Sequence, residues 1–171
     1  IIMITTGNLA IPLLLMLLAC YVELFALQRW RGIDIEWHDT VFNLNSGHVI
    51  LWVCRGFELI GYMWVLQHAS VHWVTHLPLV VQWSFGFVVW DFCFYWMHRL
   101  HHHIPILWCI HGMHHEGAHF NLSLGIRNSW YSSLSNFPFI VGLAVLGLPV
   151  EIFVVVSSIH YTVQFYNHNG W

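Results

Sequence analysis

LVVQWSFGFVVWDFCFYWM, residues 79–97, runs without a break into HRLHHH, residues 98–103. The first part is an apolar run that thickens into the aromatic stretch Trp90-Asp91-Phe92-Cys93-Phe94-Tyr95-Trp96; the second is polar and rich in imidazole. An apolar run of this length reads as a helix that crosses a bilayer, and the residues after it read as polar structure on one side. Working outward, three more apolar runs follow the same logic. Leu9–Leu27 carries one acid, Glu23. Val49–Leu66 carries Arg55 and Glu58, which share a helix face at a spacing of three and can pair. Phe137–Phe165 is interrupted at Gly147-Leu148-Pro149. Pro149 disfavours helix at the residue before it and Gly147 permits a turn, so this run reads as a hairpin of two short helices.

Composition supports the membrane reading. The chain has 171 residues, 58% hydrophobic and 8% charged, against roughly 25% charged in an ordinary globular domain. It has no Lys; its basic residues are Arg29, Arg31, Arg55, Arg99 and Arg127. So few charges cannot solvate the surface of a soluble domain, whereas lipid-facing surface needs none. The net charge of −3 and the absence of basic runs argue against a nucleic-acid partner. Cys20, Cys54, Cys93 and Cys109 show no C-x-x-C spacing and read as free thiols. Three crossings put Arg29, Arg31, Arg99 and Arg127 on one side and the Arg-free connection 67–78 on the other. The excess of basic residues makes the first side cytosolic. The expected fold is an all-α integral membrane protein. It has about four to five transmembrane or re-entrant helices and a cytosolic, His-rich helical cap over residues 98–136.

Fifteen residues are His, and eight of them fall between His98 and His119. His98 and His102 are four apart, as are His111 and His115, while His111 and His114 are three apart; on helices each set shares a face. Neutral imidazole ligates Zn, Fe, Cu and Ni. A coordinating ring needs its other N–H fixed by an acceptor, for which Asp91, Glu116, Asn121 and Gln164 are candidates. An expression tag would be contiguous, and a metal-buffering tract would be low in complexity; neither matches histidines at helical spacing among aromatics. Five well-spaced imidazoles exceed the needs of one tetrahedral zinc, so a pair of metals is more economical. Three functions stay open on the residues alone: a metal-dependent enzyme, a non-catalytic metal-binding membrane protein such as a transporter or sensor, and a haem electron carrier. A transporter would hold its ligands near mid-span and a haem carrier within facing spans. These histidines lie past the span ends, which favours the enzyme.

The stretches DFCFYWMHRLHH (91–102) and LWCIHGMHH (107–115), with Phe120-Asn121-Leu122-Ser123, Ile126-Arg127-Asn128-Ser129-Trp130, Leu146-Gly147-Leu148-Pro149 and Gln164-Phe165-Tyr166-Asn167-His168, resemble the fatty acid hydroxylase superfamily. Within it they resemble most the sterol desaturase and alkylglycerol monooxygenase branch. Its pattern is H-x-x-x-H, H-x-x-H-H, a lone His after the helical hairpin, and a last H-x-x-H-H. The resemblance implies metal ligands at His98, His102, His111, His114, His115 and His168. It implies two iron ions, with zinc as a stand-in, and no catalytic residue separate from the ligands. The implied enzyme is an O2-dependent hydroxylase or desaturase of a membrane lipid: sterol, fatty acyl, carotenoid or ether lipid. It draws electrons from an external donor such as cytochrome b5, a ferredoxin-type reductase or a pterin. Asp91, Asn121, Arg127, Gln164 and His160 are candidates for holding ligand rings or substrate, while His101 and His103 are expected to point elsewhere. The implied location is a multi-pass membrane protein, in the endoplasmic reticulum if eukaryotic and the inner membrane if bacterial. The expected organisation is a single domain over 1–171, cut at both ends, with the last His cluster beyond residue 171. The isolated chain is then expected to turn over little; a degenerate relative is the alternative.

Overall fold

A computed structural model describes the backbone of residues 6–49 and 54–171, and side chains over 14–47 and 54–171. The described residues form seven α-helices and no strand: α1 (Thr6–Arg31), α2 (Trp37–Val49), α3 (Arg55–His68), α4 (Leu79–His103), α5 (Pro105–His115), α6 (Ser132–Leu146) and α7 (Val150–Tyr166). Short 3-10 turns occupy Val74–His76 and Leu122–Gly125. The beginning of the run expected over 49–66 lies outside the described residues, as do the side chains that open the run 9–27.

Proline sets three of the helix boundaries. Pro78 and Pro149 stand immediately before α4 and α7 with extended ψ values of 144° and 140°. Pro105 is the first residue of α5, where its missing N–H costs nothing. It also excludes Ile104 from the helical region (φ −97°, ψ 117°), so α4 must stop at His103. The chain reverses across that one extended residue, and α5 folds back on the end of α4. At the other hairpin Gly147 takes a left-handed φ of 89°, and the turn is closed by bonds from Gly147 and Leu148 N–H to Ala144 and Leu143 carbonyls.

The main core joins α3, α4, α6 and α7 through Tyr62, Trp90, Leu143, Leu148, Phe153 and their neighbours. Tyr62 stacks on Phe153 at 4.0 Å and donates its hydroxyl to the Leu148 carbonyl at 2.9 Å, spanning the hairpin tip. The connection after α3 lies over that same tip, with Val71 N–H on the Val145 carbonyl. A smaller core of Cys20, Leu44, Leu122, Ile126 and Phe165 ties α1 and α2 to the 122–125 turn and α7. The expected Arg55–Glu58 pair is present at 3.5 Å, and all four cysteines are free.

Among the described residues α4 alone is both long and apolar enough to cross a membrane. Most of its apolar window faces outward, and large apolar side chains are also exposed on α1 (Leu14, Val22, Phe25) and α3 (Phe57, Ile60, Trp64). Helices α6 and α7, of 15 and 17 residues, are shorter, about 22 and 25 Å at 1.5 Å per residue. Two details differ from the expectation. His98 and His102 belong to the last turns of α4 itself and not to a separate cap. The polar stretch before Gly47, which has no apolar run, folds as α2.

Candidate metal centre

Three helix ends meet at one point. From α4, His98 and His102 bring their Nε2 atoms to 3.2 Å of each other; from α5, His111 and His115 do the same at 3.2 Å. The two pairs interlock, with ring centroids 4.7 Å apart for His98–His111, 4.9 Å for His102–His111 and 4.8 Å for His102–His115. Ligand atoms of His98, His102 and His111 all lie within 4.8 Å of one another, a grouping that could hold a metal ion. His168, just past the end of α7, extends the cluster: its Nε2 is 3.1 Å from Nε2 of His114.

The last contact carries chemical information. Nδ1 of His114 faces the Arg127 carbonyl at 2.9 Å, and Nδ1 of His168 faces the Gln164 carbonyl at 2.8 Å. A carbonyl can only accept, so in both rings the proton sits on Nδ1 and Nε2 carries a lone pair. Two lone pairs directed at each other across 3.1 Å repel unless a cation lies between them. Metal–imidazole bonds of about 2.0–2.1 Å joined to a nitrogen separation of 3.1 Å subtend about 100°, between the octahedral and tetrahedral values. The donor set therefore fits a first-row metal ion.

The three rings of α5 are kept neutral. Burial, then the neighbouring imidazoles, pushes His111 down to about 3. Burial likewise lowers His114 to about 4, against the opposing effect of its bond to the Arg127 carbonyl. His115 is lowered by burial and by His102 and His168. Unprotonated rings at neutral pH are what metal ligation needs. Trp108 covers the most open pair, 5.3 Å from His102 and 5.5 Å from His115.

Behind the rings stands a buried polar frame. The Arg127 guanidinium donates to the Met113 carbonyl (2.6 Å), Asp39 (2.9 Å) and Asn43 (3.1 Å), lies 3.6 Å from Glu116, and sits against Phe42. Asn43 continues to Ser123, and Ser123 to Asn121. Arg127 thus touches the last turn of α5 with its side chain and His114 with its main chain.

The remaining sequence candidates fall as follows. Gln164 supplies its main-chain carbonyl to His168, while its side chain is 3.4 Å from His160. Asn121 caps the 122–125 turn and contacts no cluster ring by hydrogen bond. Asp91 is exposed and 3.6 Å from His160. His160 packs on Trp90, Phe94 and Tyr161, apart from the six rings. His103 is exposed, but His101 is buried, joining the Met97 carbonyl (2.7 Å) and Ser135 of α6 (2.9 Å). Contrary to the expectation that it points elsewhere, its ring lies 5.6 Å from that of His111, so it borders the cluster while tying α4 to α6. The carbonyl of Arg127 has no sequence signal. Trp108 had one: it precedes His111 by three and His115 by seven, on one helical face.

A helical bundle that gathers imidazoles from three helix ends around one focus defines a histidine-cluster protein whose rings could hold a metal ion. The family model described as fatty acid hydroxylase matches residues 83–171, just over half the chain. The chain belongs to that family, on its alkylglycerol monooxygenase-like branch. It is 30% identical to the alkylglycerol monooxygenase of Danio rerio over 142 residues, covering 80% of this chain and 31% of the relative. It is 25% identical to that of Xenopus tropicalis over 152 residues (86% and 33%) and 29% identical to that of Homo sapiens over 116 residues (67% and 25%). The chain spans about a third or less of the length of these curated relatives. No solved structure matches it.

Proposed function

We infer that this chain carries the iron-binding part of an O2-dependent membrane lipid monooxygenase. The observation that supports the reading most is the pair of Nε2 lone pairs of His114 and His168 facing each other at 3.1 Å, an arrangement that calls for a cation. In this reading His98, His102 and His111 hold one iron, and His114, His168 and His115 contribute to a second. Iron with O2 supplies an oxidant strong enough to attack an unactivated C–H bond. The protein's own residues do the rest. The Arg127 and Gln164 carbonyls fix the tautomers of His114 and His168, and Trp108 limits water on the open side.

The outward-facing apolar residues of α1, α3 and α4 sit in the bilayer, with the histidine end cytosolic. A lipid then reaches the metals without leaving the membrane. Relatives named alkylglycerol monooxygenase favour an ether lipid as substrate and hydroxylation as the reaction. The electron donor is external; cytochrome b5, a ferredoxin-type reductase and a pterin are the candidates. The histidines stand at helix ends and not at mid-span, which argues against a transporter.

Metal analysis and an optical spectrum of the purified protein test this. Iron bound in the parent and lost in His98→Ala and His114→Ala is expected, with His103→Ala unchanged. A Soret band, or full metal content in both alanine variants, would sink the reading.

A further inference from the structure

Glu23 is an acid in the middle of an apolar helix, and it is 5% exposed. A carboxylate so placed is costly unless its oxygens are satisfied. Both are, by main-chain donors from two segments far apart in sequence. Leu122 N–H donates to Oε2 at 2.6 Å, and Gly170 N–H donates to Oε1 at 2.5 Å. Short charge-assisted bonds of this kind are strong and directional.

The two segments so joined enclose His168. Phe120, two residues before Leu122, stacks on the His168 ring at 5.6 Å and 24°. Gly125, at the end of the 122–125 turn, lies so close that an added Cβ would come within 3.2 Å of His168 Nδ1. Gly170 lies two residues beyond His168, and a Cβ there would meet the Phe120 carbonyl at 2.9 Å. His168 stands just past α7, which holds it through its N–H on the Phe165 carbonyl and Nδ1 on the Gln164 carbonyl, and the two segments add anchors from outside that helix. Trp171 adds a second attachment to α1, packing on Trp30 at 6.2 Å and under Arg31 at 5.1 Å.

We propose that Glu23 is the positioning residue for His168: one buried carboxylate on α1 clamps the backbone on both sides of that imidazole and so sets its approach to His114. The proposal rests on the metal-centre reading above and extends the site to α1, outside the segment matched by the family model. Glutamine cannot replace it, because the amide directs N–H toward one of two main-chain N–H groups.

The test is Co2+ titration of the full chain in detergent, followed by d–d absorption, for the parent, Glu23→Gln, His168→Ala, the double variant and His98→Ala. Glu23→Gln is expected to weaken the site that contains His168 by about 10–100-fold, the usual effect of removing a residue that orients a ligand. It should leave the site lost in His98→Ala intact, and in the double variant it should add little to His168→Ala. A general structural lesion would instead weaken both sites and add fully. Either that pattern or parent-like binding by Glu23→Gln would overturn the proposal. A check on the parent alone covers a variant that fails to fold. Co2+ should slow hydrogen exchange at the Leu122 and Gly170 amides, because coupling between ligand and clamp is reciprocal; unchanged exchange also overturns it. A parent that binds no Co2+, or binds equally after His98→Ala and His168→Ala, would instead take down the metal-centre reading and this inference with it.

Discussion

The lowered proton affinity of His111 and His114 sets a pH dependence that belongs to single residues. Both lie well under the ordinary 6.5, at about 3 and about 4. Between those values and 6.5 the unfolded chain binds more protons than the folded one, so stability rises with pH across that window. The metal-free chain should be level in stability above about pH 7 and should weaken as pH falls through 6.5. Unfolding series in detergent check this, with His111→Gln expected to flatten the fall. Arg127 makes a second case. Arg127→Met strands Asp39 and Asn43 and should cost about 3 kcal/mol, the lower end for breaking a buried pair, because Asp39 retains some exposure. Denaturant titration measures it, and Arg127→Lys should not restore the lost stability, since an ammonium cannot reproduce the planar fork. His168 comes only from the family resemblance, whereas His98, His102, His111, His114 and His115 could be read from spacing, because helical periodicity is written in the letters. The acceptors that orient them could not. Two are main-chain carbonyls, of Arg127 and Gln164, and every residue has one; only the fold selects which carbonyl meets which ring.

Between elements the sharpest constraint is where α2 crosses the segment after α5. A Cβ on Gly47 would come 1.9 Å from Ile126 Cγ2 and 2.6 Å from the Ile126 main-chain oxygen. A side chain can rotate, but the backbone oxygen cannot shift without moving Arg127 beside it. Gly47→Ala should therefore cost roughly 1–3 kcal/mol as an overpacked contact. Gly142→Ala is the control: it lies inside α6 with nothing within 4 Å, and should be neutral or stabilising by up to about 1 kcal/mol. Thermal unfolding of both variants beside the parent decides it. The α6–α7 hairpin could be read from Gly147 and Pro149, and the reversal into α5 follows from Pro105. Helix α2 could not, since its sequence WHDTVFNLNSGHV has no sustained apolar stripe. Its stability comes from Asn43, Leu44 and Gly47 meeting partners some eighty residues away.

For the molecule as a whole, the hairpin returns His168 to the end where α4 finishes, and the connection after α3 covers the opposite end. In a cysteine-free background, a cysteine at Asn169 should be labelled from the same side as one at Cys109, and a cysteine at Thr75 from the other. Labelling of Asn169→Cys only from the Thr75 side would refute the membrane arrangement. The helices that form this bundle are unequal. Helix α4 has 25 residues, of which the apolar part 79–97 rises about 28 Å and matches a hydrocarbon core of about 30 Å, while α6 and α7 fall short of it. In the proposed membrane arrangement one flank thus matches the bilayer and the other undershoots it. Mismatch of this kind sorts proteins among membranes, so the short flank should draw the protein toward short-acyl bilayers. Reconstitution into short-chain and long-chain phosphatidylcholine mixtures would reveal that preference as unequal partitioning.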